Sequence, residues 1–392
     1  MSLAELKELE RLWAMPVYAR LPVELVRGEG VWLFDDEGKR YLDFFSAFSV
    51  HNCGHCHPRI VKAIREQAGR LLGVSAVYYT EPALRLCERL ARSSLGGKVF
   101  LGNSGAEANE LAIKLTRRHA HARGVDEPEI VVLEGAFHGR TLGALAATPK
   151  LAREDLFGPL PRGFKPVPRD DADTLRAAVG GPTAAVMIEP IQGEAGIVPI
   201  RDEVLVAARE ACDEQGAVLV FDEVQTGMGR TGSLWAYEQT PVRPDLMCVS
   251  KALGGGVPIG ACITNPELGD VLGPGEHGST FSGQSLGAAA ALAALDIIDD
   301  PELLRSVRVL GSRLCDGLRA MDGIVEVRGR GLMVAAVLAE GIDAEEVSAR
   351  ARAEGLLINV PAPSTVRMLP PLIVDESHVD QALEMLGRAV SP

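Results

Sequence analysis

Lys251 closes an apolar run, Asp245-Leu246-Met247-Cys248-Val249-Ser250-Lys251, and the glycine cluster Ala252-Leu253-Gly254-Gly255-Gly256 follows at once. A lysine at the end of a buried strand is costly as a cation, because burial disfavours the ammonium and lowers its pKa from about 10.4. The neutral amine is a nucleophile that can form a Schiff base with an aldehyde. Upstream, a second apolar run, Ala217-Val218-Leu219-Val220-Phe221, ends in Asp222-Glu223. A carboxylate and a lysine at two strand ends suit pyridoxal phosphate (PLP). The Asp holds the pyridine nitrogen protonated and the Lys carries the cofactor. The alternative is a solvated loop lysine, since lysine is almost never buried unpaired. The glycine-rich flank and the partner Asp222 favour the site.

Three other segments hold chemistry-bearing residues. Gly102-Asn103-Ser104-Gly105-Ala106-Glu107-Ala108-Asn109-Glu110 opens a helix whose apolar positions 108, 111, 112 and 115 share one face. Its small first residues leave backbone N–H groups free for an anion such as a cofactor phosphate; an ordinary Asn/Ser N-cap reads the same way. In Phe137-His138-Gly139-Arg140-Thr141 the aromatic suits stacking on a pyridine ring and Arg140 suits a bidentate grip on a carboxylate, with a surface loop as the alternative. His51-Asn52-Cys53-Gly54-His55-Cys56-His57-Pro58 offers zinc-ligand types. Its spacing is too tight for all to converge on one ion, which favours a structural turn and no metal.

These residues need elements to position them. Ile130–Leu133, Ala184–Ile188, Ala217–Phe221 and Leu246–Val249 read as buried strands, and residues 105–121 and 202–215 as helices. The alternation predicts an α/β domain with a mostly parallel sheet and ligand sites at the carboxyl ends of its strands. Glu189, Asp222 and Lys251 all stand at such ends. Residues 24–45 alternate as a meander around the turn Asp36-Glu37-Gly38-Lys39, and short strands are expected near Val325-Glu326-Val327 and Leu356-Leu357-Ile358. The expected division is 1–45 and 289–392 as one smaller α+β domain built from both termini, with 46–288 as the large domain. A chain of 392 residues has room for both. Its 47% apolar and 24% charged residues suit a soluble enzyme. The net charge of −13 argues against nucleic-acid or anionic-membrane partners. The charged amphipathic start is not expected to be a signal peptide. Seven scattered cysteines fit reduced thiols and a cytoplasmic location. The triple glycine lacks the Gly-x-Gly-x-x-Gly spacing of a nicotinamide enzyme.

The chain resembles class III (subgroup II) fold-type I PLP-dependent aminotransferases, and among them most closely the acetylornithine/ornithine group. The resemblance rests on Arg27-Gly28-Glu29-Gly30, Gly54 to Pro58, Asn103 to Ala108, Phe137 to Thr141, Ile188 to Glu194, Phe221 to Gly232, Ser250 to Gly256, His277-Gly278-Ser279-Thr280-Phe281 and Val366 to Leu372, in family order over nearly the whole chain. It implies that Lys251 holds the cofactor and shuttles protons, Asp222 pairs with the ring nitrogen, and Gln225 contacts the ring hydroxyl. Phe137 stacks on the ring. Ser104, Gly105 and Ala106 hold the phosphate, and Ser279 and Thr280 reach the phosphate of the neighbouring subunit, so a homodimer with shared active sites is expected. The Gly-His-Cys-His-Pro turn recurs in the family without metal.

An ω-aminotransferase must accept a donor whose reacting amine is far from any carboxylate, and also 2-oxoglutarate, whose reacting carbon bears one. In ornithine-type members a glutamate pairs with the second arginine for the first half-reaction and releases it for the second. The matching residues are Glu194 and Arg367, with Arg140 on the distal carboxylate; the plain alternative is a structural ion pair. Tyr18 matches a tyrosine near the donor carboxylate, as a contact or a packing residue. The family's Phe-Gly-Gly-Asn-Pro is replaced here by Phe281-Ser282-Gly283-Gln284-Ser285, which puts the geometry of the phosphate loop in question. Ornithine enzymes have, near the position of Phe48, a tyrosine that helps read the donor's α-amino group; Phe48 lacks its hydroxyl, which leans towards an N-acylated donor. The expected reaction is δ-amine transfer from N2-acetyl-L-ornithine to 2-oxoglutarate. The alternatives are free ornithine, succinylornithine, a carrier-bound lysine or ornithine precursor, and 4-aminobutyrate. More distant ones are an aminomutase or racemase and a non-catalytic relative.

Overall fold

The computed structural model describes residues 1–391. A seven-stranded sheet organises it, in the spatial order Val99–Gly102, Gly260–Thr264, Leu246–Val249, Val218–Asp222, Thr183–Ile188, Glu129–Leu133 and Phe164–Val167. Gly260–Thr264 is antiparallel to both neighbours, and every other pair is parallel. Helix Gly105–Ala122 covers one face; Ala172–Ala178 and Asp202–Gln215 cover the other. Covered on both sides, the inner strands lose polar alternation, and all six residues of Thr183–Ile188 are buried. That continuity makes four of the five inner strands legible in the sequence. The two edge strands and Gly260–Thr264 are not among those expected. Phe164–Val167 is a half-exposed edge interrupted by Pro166, and Gly260–Thr264 starts on a glycine close behind the triple-glycine cluster.

Register decides which residues meet. Phe221 lies beside Ile188, and Asp222 beside Cys248. Glu189, Asp222 and Lys251 therefore leave the sheet at one edge.

The ends of the chain build two further sheets. Leu25–Glu29, Trp32–Asp35 and Arg40–Asp43 form the expected meander, and Leu356–Leu357 joins it in parallel beside Arg40–Asp43. The second has the antiparallel order Ile324–Arg330, Met333–Leu338, Thr365–Met368 and Asn359–Ala362. The two ends of the sequence thus share structure, as the α+β reading required. Helix Ser285–Ile298 runs through the expected 288/289 division and packs on Pro58–Ala68 and Glu81–Arg92. No helix among the described residues is long and apolar enough to cross a membrane.

Candidate active site

A cavity of about 510 Å³ opens at the carboxyl edge of the large sheet. That volume suits a cofactor with a small substrate. Asn103 to Ala106, Phe137, Arg140, Glu189, Glu194, Asp222, Gln225 and Lys251 line it. A cleft of similar size, about 530 Å³, lies beside Arg89 and Arg308. Its cations are occupied there, Arg89 by Asp299 and Arg308 by the Gly232 carbonyl, and it holds no lysine–carboxylate pair.

Lys251 follows its strand by two residues and takes a left-handed φ of +42°. Such a conformation in a non-glycine residue is strained and recurs at functional sites. Burial lowers its pKa, and Arg367 adds to that; Glu194, Asp222 and Glu189 oppose the shift without cancelling it. Among the described residues its ammonium has neither a hydrogen bond nor an ion pair, so the amine is free to react.

Asp222 is buried, and its carboxylate is aimed by three donors. Asn109 Nδ2 donates to Oδ2 at 2.7 Å, His138 Nδ1 lies 2.8 Å from the same oxygen, and Val224 N donates to Oδ1 at 3.0 Å. For His138, burial pushes the pKa down, but the hydrogen bond and charge of Asp222, with Glu189 behind, raise it overall. Asn109 and His138 are also tied to each other, since Asn109 Nδ2 donates to the His138 carbonyl at 2.7 Å. Neither was singled out in the sequence. Asn109 was legible only as a polar residue on the buried side of helix Gly105–Ala122.

The helix start is stiff. Ser104 Oγ accepts from Glu107 N at 3.2 Å, while Glu107 Oε2 accepts from Asn103 N at 2.6 Å and from Asn103 Nδ2 at 2.8 Å. The first backbone N–H groups of any α-helix lack intrahelical partners, and here those of Gly105 and Ala106 border the cavity. Side chains must be small there: a Cβ on Gly105 would stand 2.7 Å from Val224, and one on Gly139 would stand 2.9 Å from Ala106. Gln225 is buried with neither amide atom hydrogen-bonded among the described residues. An orphaned amide costs about 1–3 kcal/mol unless a ligand completes it. A stiff anion-binding helix start, an oriented carboxylate, an unsatisfied amide and a free amine fit PLP.

The side of the cavity expected to take the substrate is built differently. Arg367 is buried on strand Thr365–Met368, and its Nη1 donates to Glu194 Oε1 at 2.7 Å and to the Gly193 carbonyl at 3.0 Å. Asn359 Oδ1 accepts from Nε at 3.1 Å and from Nη2 at 2.5 Å. Burial alone would raise the Glu194 pKa; Arg367, then Lys251 and Arg140, bring it below the ordinary value, so the carboxylate is charged. Arg140 stands exposed at the mouth, its Cζ 5.5 Å from the centre of the Phe137 ring, without an ion pair among the described residues. Arg367 Cζ lies 5.3 Å from the centre of the Phe48 ring. Phe48 sits in a run of four non-glycine residues with positive φ, Ser46 to Ser49 (46°, 48°, 63° and 75°). Left-handed backbone costs about 1–2 kcal/mol for each such residue. The strand-end Glu189 is buried and accepts from Phe137 N at 2.8 Å and Gly193 N at 3.3 Å; burial raises its pKa to about 7.

Four expected residues do not themselves line this cavity within one chain; Arg367 reaches it through its pair with Glu194, and the other three are Tyr18, Ser279 and Thr280. Tyr18 is 72% exposed, with the Arg20 guanidinium 5.8 Å from the centre of its ring. Ser279 Oγ accepts from Asn103 Nδ2 at 3.1 Å but does not line the cavity, and Thr280 is exposed. Three residues of the His/Cys segment are tied into local structure. His55 Nε2 lies 2.6 Å from Asp43 Oδ2, His57 Nδ1 accepts from Arg59 N at the start of helix Pro58–Ala68, and Asn52 Nδ2 donates to the Met228 carbonyl. Among the described residues no group of three His, Cys, Asp or Glu is placed to hold a metal ion.

The chain is similar to known aminotransferases. The family model for class-III aminotransferases matches residues 14–390. The acetylornithine aminotransferase of Methanocaldococcus jannaschii is 44% identical over 97% of this chain and 96% of its own length. The succinylornithine transaminase/acetylornithine aminotransferase of Pseudomonas aeruginosa is 42% identical over 97% of this chain and 95% of its own. Among solved structures, an ornithine aminotransferase from Toxoplasma gondii, with partial occupancy of PLP at its active site, superimposes with a TM-score of 0.93 at 32% identity, covering 99% of this chain and 94% of that one.

Proposed function

The chain belongs to the class-III aminotransferases, and on that premise we propose that it moves the δ-amino group of N2-acetyl-L-ornithine to 2-oxoglutarate, giving N-acetylglutamate 5-semialdehyde and L-glutamate. PLP is the cofactor of its family, and when bound it supplies an electrophilic carbon and an electron sink for the substrate. The observation that carries the ω-amine reading is the closed Glu194–Arg367 pair, 2.7 Å apart, beside an uncommitted Arg140. A fixed, bare cation next to the reacting carbon would suit only an α-keto acid.

In this reading Asp222 accepts a hydrogen bond from the ring nitrogen, with Asn109 and His138 as its positioning residues. Phe137 packs on the ring face, Gln225 reaches the ring hydroxyl, and Ser104, Gly105 and Ala106 hold the phosphate. Lys251 holds the cofactor; its Nζ, whose pKa burial lowers, then takes the proton from the donor's δ-carbon. Arg140 binds the donor's α-carboxylate while Glu194 keeps Arg367 neutralised. When 2-oxoglutarate enters, Arg140 takes its γ-carboxylate and Arg367 leaves Glu194 for its α-carboxylate.

The working unit in this proposal is a homodimer. Ser279 and Thr280 complete the partner's phosphate site, and Tyr18 is donated or packed across the interface. Support comes from exposed apolar side chains beside that loop, Val77, Tyr78, Tyr79 and Phe281, from 63% to 94% exposed, a concentration unusual for a monomer. The seven unpaired cysteines support placing the enzyme in a reducing cytoplasm.

A donor panel tests the substrate. The value of kcat/KM should be highest for N2-acetylornithine, ahead of succinylornithine, free ornithine and 4-aminobutyrate. A higher value for free ornithine or 4-aminobutyrate overturns the proposed donor. Succinylornithine is the second reading, favoured by the double activity in the name of the Pseudomonas relative.

A further inference from the structure

Arg230 is fully buried, and no carboxylate among the described residues lies within ion-pair distance of it. Its guanidinium donates to four oxygens instead. Nε reaches Ser49 Oγ at 2.8 Å, Nη2 reaches Asn52 Oδ1 at 2.5 Å, and Nη1 reaches the carbonyls of Leu332 at 2.8 Å and Pro370 at 2.7 Å. A buried cation is retained at a cost, and this one joins the loop after Asp222 to the segment Ser49–Asn52 and to two C-terminal segments.

Its first two acceptors belong to the left-handed turn. Ser49 is the last of the four residues with positive φ, and its hydroxyl also donates to Asn52 Oδ1 at 3.0 Å. At the other end, Asp43 Oδ1 accepts from Phe45 N at 2.9 Å and Ser46 N at 2.8 Å. Strained backbone persists only where its surroundings over-determine it; here Asp43 pins the start and Arg230 the finish. Between the pins the turn presents Phe48. Its ring lies edge-on to Phe45, 4.6 Å between centres, and meets the Arg367 guanidinium at 5.3 Å. Arg367 is only 1% exposed, and a desolvated cation over an aromatic face is attracted most strongly.

We propose that Arg230 is a positioning residue for the amino-donor half-reaction: by clamping Ser49 and Asn52 it holds the left-handed turn that seats Phe48 against Arg367, which favours the closed Glu194–Arg367 pair. The inference rests on reading that pair as a gate. Loosening the turn then penalises the donor half-reaction, which needs Arg367 neutralised. It spares the 2-oxoglutarate half-reaction, which needs Arg367 released.

The test uses the holoenzyme and measures each half-reaction separately by rapid mixing. Replacing Arg230 itself risks misfolding, so Ser49→Ala is the main variant, with Phe48→Leu, the double variant and Glu194→Gln beside it. Ser49→Ala should lower kcat/KM for N2-acetylornithine about tenfold and that for 2-oxoglutarate less than about threefold. Phe48→Leu should show the same imbalance, and Ser49→Ala should add nothing to it in the double variant, because both act through one contact. Glutarate, an unreactive dicarboxylate that needs a released Arg367, should bind Ser49→Ala roughly threefold more tightly by calorimetry. Equal losses in both half-reactions, additive losses in the double variant, or weaker glutarate binding overturn the positioning role. Glu194→Gln separates the two ideas. An imbalance there without one in Ser49→Ala overturns this inference alone, whereas equal effects of Glu194→Gln overturn the gate itself.

Discussion

The cofactor end and the substrate end of this cavity share Lys251 but are built in opposite ways. At the cofactor end, Asp222, Lys251 and the start of helix Gly105–Ala122 are continuations of neighbouring regular elements. Their separation follows from strand spacing and register. At the substrate end, Glu194, Arg367, Arg140 and Phe48 come from four separated segments, one of them in the C-terminal part of the chain. They are held by side-chain bonds and by one strained turn. The first arrangement makes cofactor chemistry hard to lose. The second lets substrate choice change without disturbing the sheet.

Breaking the cofactor end should cost most. Lys251→Ala should leave no cofactor attached to the chain after borohydride reduction, and turnover should fall by at least about 10⁴-fold; a mass spectrum still showing the reduced adduct would refute the assignment. Asp222→Asn keeps the shape but removes the charge that His138 and Asn109 orient. A loss of kcat of roughly 10²- to 10³-fold is expected, from steady-state rates at saturating substrate. A loss under tenfold would mean that the carboxylate is only structural.

At the substrate end the effects should be smaller and uneven. Glu194→Gln leaves Arg367 a bare cation, so the donor half-reaction should fall roughly 10- to 100-fold while that with 2-oxoglutarate changes little. If the two fall together, the contrast between the two ends collapses, because Glu194 would then be a structural partner.

The last prediction concerns stability and pH and leaves activity aside. Glu223, next to Asp222, is fully buried and accepts from Ala236 N at 2.6 Å and Tyr237 N at 2.7 Å. Burial pushes its pKa up to about 8 despite those bonds. The folded chain therefore binds the Glu223 proton more tightly than the unfolded chain, whose glutamates titrate near 4.3. Between those values the native state holds more protons, so stability should fall as pH rises from about 4.5 to 8. Glu189, raised to about 7, acts in the same direction. Denaturation midpoints for Glu223→Gln should fall less steeply across that window than those of the parent chain, the difference being of order 4 kcal/mol. An unchanged slope would show that Glu223 does not titrate there.

The sequence by itself determined what depends on local periodicity and residue type. Continuous apolar runs marked the inner strands, small residues marked the helix start, and Lys251 and Asp222 stood at strand ends, where α/β sheets place their ligands. Even the meander and its turn were legible. Only the tertiary structure decided convergence. Asn109 and His138 stand 113 and 84 residues from Asp222, and no spacing rule joins them; strand register and helix rotation do. The same holds for Arg230, whose four acceptors lie on three distant segments. It also holds for the left-handed turn at Ser46 to Ser49, since none of those residues is a glycine that would announce a positive φ. Local propensity is a property of neighbours in the chain. The direction in which a buried side chain points is set by whatever has packed around it, and that exists only once the sheet and the two chain ends have come together.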